Sequence, residues 1–135
     1  MADVQAAVAD THALLYYAGG SVRLRTKAAR HFEACDRRDA LTYVPDAVMW
    51  EVGLLARGGR VNLRRSVRAF FTDLYSNPAY QPYDLTPTQI FDADELRFTR
   101  DPFDALVCAA ARELGLPLLT RDTAITGAAV VRVIW

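Results

Sequence analysis

Apolar residues along this chain switch repeatedly between short continuous runs and a three-to-four-residue recurrence, the pattern of strands alternating with helices. Residues 4–9 are a short apolar run, and after Asp10 the positions Ala13, Leu14, Tyr17 and Ala18 recur at helical spacing until Gly19 and Gly20 stop them. Leu24, Ala28, Phe32 and Cys35 mark a second helix with Arg30, Glu33, Arg37 and Arg38 at its polar positions. Residues 41–44 read as a strand. Pro45 and Asp46 open a third helix that runs through Trp50 and Leu54 to Gly58 and Gly59. Asn62 is expected to cap a fourth helix, whose stripe is Leu63, Val67, Phe70, Phe71 and Leu74. The prolines within 77–87 predict loop, with a strand from 86 to 90. From Phe103 the positions Leu106, Val107, Ala110, Ala111 and Leu114 predict a helix closed by Gly115, followed by strands at 116–120 and 130–134. Strands this uniformly apolar belong in a parallel sheet covered on both faces. The fold class is therefore α/β: a three-layer α/β/α sandwich around a mostly parallel central sheet.

The 135 residues suit a single domain spanning 1–135, since a chain of this length can bury about two-thirds of its unfolded surface in one core. Sixteen Lys and Arg balance sixteen Asp and Glu, so any contact with a polyanion has to come from a local patch. Cys35 and Cys108 are too few for a disulfide scaffold or a thiolate zinc site, and both are expected to be reduced and packed. No apolar run approaches the roughly 20 residues of a membrane span. The N-terminus has no basic stretch ahead of an apolar one. A soluble cytoplasmic protein with no membrane partner is the expectation. Lys27 is the only lysine and has no flanking glycines, which removes Schiff-base chemistry and a Walker-type phosphate loop.

Most of the acids fall on polar helix faces or in loops; four are harder to place. Asp10 ends the first apolar strand and Asp122 lies just past the run 116–119, and in an open parallel sheet ligands bind outside the carboxyl ends of strands. Each also suits a helix N-cap. Glu51 has Ala47, Val48, Leu54 and Leu55 three and four residues away, which puts a carboxylate on an apolar stripe. Such a group needs a cation, a hydrogen-bonded partner such as Arg57 or Arg60, or a raised pKa. Asp101 and Pro102 are a cap and first residue for the helix that follows, and Asp104, in its first turn, borders the apolar stripe. Four hard oxygen donors with no lysine among them suit Mg²⁺ or Mn²⁺ better than zinc. His12 and His31 fit packing or hydrogen-bonding roles.

The blocks VADTHALL at 8–15, VPDAVMWEV at 44–52, RDPFDALV at 100–107 and LLTRD at 118–122 resemble, in order and spacing, the four blocks of the PIN-domain family. They are most similar to its VapC-type ribonuclease toxins of type II toxin-antitoxin systems. The resemblance implies a metal-dependent endoribonuclease whose acidic centre is Asp10, Glu51, Asp104 and Asp122, with Mg²⁺ or Mn²⁺ as cofactor and a cognate antitoxin as partner. It also implies supporting roles for Thr11, Asp101 and Thr120. Water attack, with no 2′-hydroxyl nucleophile, predicts 5′-phosphate and 3′-hydroxyl ends.

Arg57, Arg60, Arg64, Arg65 and Arg68 form a local basic patch without an intervening acid. It reads equally as a solvated face, a grip on RNA phosphates or a contact to an acidic antitoxin segment. Leu14, Tyr16, Tyr17, Leu54 and Leu55 are either core or the lining of a groove for an antitoxin helix. A homodimer stays open. Other phosphoryl-transfer folds fit less well: a haloacid-dehalogenase-like site needs a second Asp where His12 stands, and a receiver-like module needs a late lysine. A non-catalytic PIN-like binding module, or a PIN nuclease in RNA processing, are the alternatives that remain.

Overall fold

The computed structural model describes residues 5–135. Val4, the expected start of the first strand, lies outside them. The elements run β1 (Gln5–Ala9), α1 (Thr11–Ala18), α2 (Thr26–Asp36), β2 (Ala40–Pro45), α3 (Asp46–Arg57), α4 (Val67–Leu74), β3 (Tyr80–Tyr83), α5 (Pro87–Glu95), α6 (Pro102–Leu114), β4 (Leu118–Leu119), α7 (Thr123–Ala128) and β5 (Val133–Ile134). All pairings are parallel and the strand order is β3-β2-β1-β4-β5. Ala7, Val8 and Ala9 are consecutive and fully buried, and because successive strand residues point to opposite faces, helices must cover both sides of β1. That is the expected three-layer α/β sandwich.

The chain winds outward from β1 through β2 to β3, then crosses back to place β4 on the other side of β1. The crevice between β1 and β4 is thus the point where the winding reverses, which is where open α/β sheets bind ligands. Helix α6 lies over this centre and buries Ala105, Val107, Cys108, Ala109, Ala110 and Ala111, small residues that let it approach β1, α3 and α5 closely. Cys35 and Cys108 are free and buried, as expected. His31 is a packed hydrogen-bonding residue: its Nε2 sits 3.0 Å from Thr42 Oγ1 and 3.1 Å from the Leu41 carbonyl.

Three local expectations are corrected. Residues 86–90 are not a strand: Thr86 caps α5 by accepting from Gln89 N–H and Pro87 opens the helix, a combination that specifies a helix start. The strand comes earlier, at β3, where Pro82 is tolerated because β3 is an edge strand bonded only to β2. Asn62 does not cap α4. Its Oδ1 accepts from Arg64 N–H at 2.8 Å in a turn that puts Arg64 at φ 59°, and the helix starts only after Ser66, whose Oγ accepts from Ala69 N–H. The last two strands are two residues each, much shorter than 116–120 and 130–134, with the short helix α7 between them.

Candidate active site

Asp10 follows the last residue of β1, and the parallel ladder continues one bond further, from Asp10 N–H to the Leu119 carbonyl. Its side chain is nearly buried and both oxygens are engaged: Oδ1 accepts from Thr11 N–H at 2.7 Å and Oδ2 from the Thr120 hydroxyl at 2.6 Å. Burial raises its pKa, an effect opposed by those two hydrogen bonds and by His12. The same Thr120 Oγ1 accepts from Asp122 N–H at 3.1 Å, so one buried hydroxyl ties the ends of the two neighbouring strands together. Asp122 in turn caps α7, its Oδ1 accepting from Ala124 and Ile125 N–H at 2.8 and 3.0 Å. Both readings of these two acids hold at once: each caps a helix, and each does so at the reversal point of the sheet.

Glu51 and Asp104 reach the same place from helices. Glu51, half-buried on α3, pairs with neither Arg57 nor Arg60 among the described residues. Burial raises its pKa, Asp10 and Asp101 raise it further, and the nearby Thr11 partly offsets them. Thr11 Oγ1 is itself fully buried without a hydrogen-bond partner. Asp104, in the first turn of α6, is pushed up to about 7, first by burial and then by Asp101, Asp122, Asp10 and Glu51. Asp101 caps α6, accepting from Phe103 N–H at 2.9 Å, and is exposed. One open cleft of about 980 Å³ is bordered by Asp10, Glu51, Asp101, Asp104 and Asp122.

As the side chains stand, no three His, Cys, Asp or Glu among the described residues are grouped tightly enough to hold a metal ion. The hydrogen bonds explain this: Asp10, Asp101 and Asp122 are each held by their own strand end or helix start, around the cleft rather than at one point. The donor set still fits a hard divalent cation. Mg²⁺ commonly takes only one or two carboxylates and keeps several waters. The carboxylates here have no ion-paired cation among the described residues, and an orphaned buried hydroxyl lies beside them. Glu51 and Asp104 make no side-chain hydrogen bond of standard geometry among the described residues, although Thr11 lies close enough to Glu51 to act on its carboxyl.

None of Arg57, Arg60, Arg64, Arg65 and Arg68 borders the cleft. All five are exposed; Arg57 lies over the Trp50 ring, 4.9 Å from its centroid, and Arg65 pairs with Asp73 at 3.3 Å. The cations that do border it are Arg23, Arg25 and Arg121, with the aromatics Tyr16 and Trp135. None stands out in the sequence: Arg23 and Arg25 precede an amphipathic helix and Arg121 lies in the short turn between β4 and α7. The available signal was the acid-free stretch 11–32, which carries Arg23, Arg25, Lys27 and Arg30. Of the proposed groove residues, Leu14 is core, Tyr17 stacks on Phe32 at 4.5 Å and donates to Asp36, Tyr16 faces the cleft and Leu54 is on the surface.

A family model described as the PIN domain matches residues 7–130. Similar solved structures include Mycobacterium tuberculosis VapC20, a sarcin-ricin loop cleaving toxin, at 19% identity and TM-score 0.67, covering 95% of this chain and 98% of that one. VapBC2 from Rickettsia felis, bound to a DNA fragment from its promoter, matches at 13% identity and TM-score 0.67 over 96% and 97%. A toxin-antitoxin complex from Klebsiella pneumoniae matches at 18% identity and TM-score 0.62 over 96% of each chain. At these identities the likeness is one of fold. No curated protein matches the chain in sequence.

Proposed function

The chain belongs to the PIN-domain family, and from that membership we propose that it is a metal-dependent endoribonuclease and the toxin of a toxin-antitoxin pair. The observation that carries the reading is the cleft itself. Asp10, Glu51, Asp104 and Asp122 come from four separate elements, meet at the reversal point of the sheet, and have no protein cation paired with them among the described residues. Mg²⁺ or Mn²⁺ would be held chiefly by Asp10 and Asp104, with Asp122 and Glu51 completing the set. When bound, such an ion makes water acidic enough to attack a phosphodiester near neutral pH and offsets the charge that builds on the phosphate.

The chain's own residues set the rest. Thr120 holds Asp10 and Asp122 in a fixed relation, and Thr11 N–H fixes the other Asp10 oxygen. Glu51, raised above the usual carboxylate range and without an ion pair among the described residues, is placed to accept the proton of an attacking water. Asp101 adds negative charge at the mouth and anchors the α6 turn that presents Asp104. An antitoxin is the proposed protein partner, supported by the toxin-antitoxin complexes among the structural neighbours. Arg57, Arg60, Arg64, Arg65 and Arg68, outside the cleft, are proposed contacts to antitoxin or to distal RNA. No helix among the described residues is long and apolar enough to cross a membrane.

Incubating the purified protein with single-stranded RNA in millimolar Mn²⁺ or in EDTA tests the reading. Cleavage is expected only with the metal, leaving 5′-phosphate and 3′-hydroxyl ends. RNA binding without cleavage under any divalent metal would instead indicate a non-catalytic binding module.

A further inference from the structure

A second cleft, of about 640 Å³, adjoins the acidic one, and the two share Arg25, Arg121 and Trp135 as a common wall. Lys27 also borders it and no acid does. Two of the shared residues, Arg121 and Trp135, lie beside the ring of Tyr16, which borders the acidic cleft alone, as does Arg23. Arg121 lies 5.2 Å and Arg23 5.9 Å from its centroid, and the Trp135 ring is 6.3 Å away. Stacking on an aromatic ring positions a guanidinium without neutralising it. None of Arg23, Arg25, Lys27 and Arg121 forms an ion pair among the described residues. Their charge is therefore available to a ligand.

A polyanion whose scissile phosphate enters a cleft edged by five carboxylates is repelled on either side of it, so the flanking phosphates need nearby cations. Unpaired cations interleaved with rings are the surface that single strands use, charge for the backbone and aromatic faces for the bases, and Trp135 here is partly exposed. We propose that one RNA strand passes from the acidic cleft over Arg121 and Trp135 into the second cleft, with Arg25, Lys27 and Arg121 on its phosphates and a base against Trp135. The proposal rests on the ribonuclease reading and extends it to the substrate path. An acidic protein segment could use the same cations, but only a nucleic-acid strand also uses the rings and continues into the cleft where the reaction takes place.

Trp50 and Trp135 are the only tryptophans, so Trp50→Phe leaves Trp135 as the sole indole reporter. In that background, with Asp104→Asn added to stop cleavage, a short single-stranded RNA is titrated in millimolar Mg²⁺. Quenching of Trp135 is expected. Arg25→Ala, Lys27→Ala and Arg121→Ala should each flatten the plot of log affinity against log salt by about 0.7. Trp135→Leu, which removes the reporter and is read by the anisotropy of a labelled RNA, should weaken binding about tenfold. Arg37→Ala, which removes a surface cation paired with Asp39, should change nothing. In the active protein the three cation variants should raise KM and leave kcat unchanged, a split that a merely structural role would not give. Wild-type protein that cleaves RNA, while Trp135 stays unquenched in the Trp50→Phe background and every salt slope is unchanged, would overturn the strand path and leave the nuclease reading standing. Wild-type protein that neither binds nor cleaves RNA would overturn both. Cation variants that lose affinity for polyglutamate but not for RNA would assign the wall to a protein partner and overturn the proposal.

Discussion

The two acids at strand ends and the two on helices meet in one cleft but are held in opposite ways. Asp10 and Asp122 are tied down: three backbone N–H groups and the Thr120 hydroxyl donate to them, and Thr120 links one to the other. Glu51 and Asp104 have no such bonds of standard geometry among the described residues, and both are pushed toward the neutral form by burial and by the other acids. The strand ends are a fixed frame, and the helices bring charge whose repulsion is relieved by a proton or by a counter-ion.

The largest effect that would break this comparison is on activity. Asp10→Asn and Asp104→Asn should both abolish metal-dependent RNA cleavage, but with unequal consequences for the metal-free fold. Asp104→Asn removes a repelled charge and should raise the melting temperature at pH 8. Asp10→Asn also removes a desolvated charge, but leaves the Thr120 hydroxyl proton without its acceptor at a cost of about 1 kcal/mol, so its gain should be smaller. Thermal melts of the two variants without metal distinguish these outcomes.

A second test uses pH. The Asp104 carboxyl ionises near its ordinary 3.8 when unfolded and near about 7 when folded, so between those values the folded state holds the extra proton. This contribution to stability is therefore full below the lower value and is lost as pH rises through the upper one. Asp10 and Glu51 shift in the same direction. Metal-free protein should melt at a lower temperature at pH 8 than at pH 5, Asp104→Asn should flatten that slope, and millimolar Mn²⁺ should raise the melting temperature more at pH 8 than at pH 5.

Thr120→Val gives a smaller and sharper effect. It removes the link between Asp10 and Asp122 while keeping the side-chain volume, so metal affinity and turnover should fall by about 10- to 100-fold. Stability should fall by about 1 kcal/mol. Unchanged Mn²⁺ affinity in this variant would show that the frame does not need the hydroxyl.

The division between the two pairs bears on how far sequence alone could go. Layers, parallel sheet and helix starts were legible because the β1 residues are apolar on both faces and because Asp-Pro, Pro-Asp and Gly marks bound the helices. That four acids border one cleft was legible because two follow apolar strands and two lie on or beside apolar helix stripes. Residues 86–90 form a helix start because a stretch with three β-branched residues also carries Thr-Pro capping chemistry that outweighs strand propensity. The Asn62 reading failed because the same side chain that caps helices also closes a turn. The acid-free stretch 11–32 marks Arg23 and Arg25 as cations, but their place at the cleft follows only from the crossover from β1 to β2, which brings them beside Arg121 and Trp135.

The proposed function requires that the four carboxylates of the cleft bind divalent cation, as one ion or two. Direct titration of Mn²⁺ into the protein by calorimetry, with no RNA present, tests it. Asp10→Asn and Asp104→Asn should each weaken binding by at least about tenfold. Asp36→Asn, at the exposed end of α2, should leave it unchanged. Equal Mn²⁺ affinity in wild type, Asp10→Asn and Asp104→Asn would contradict the account.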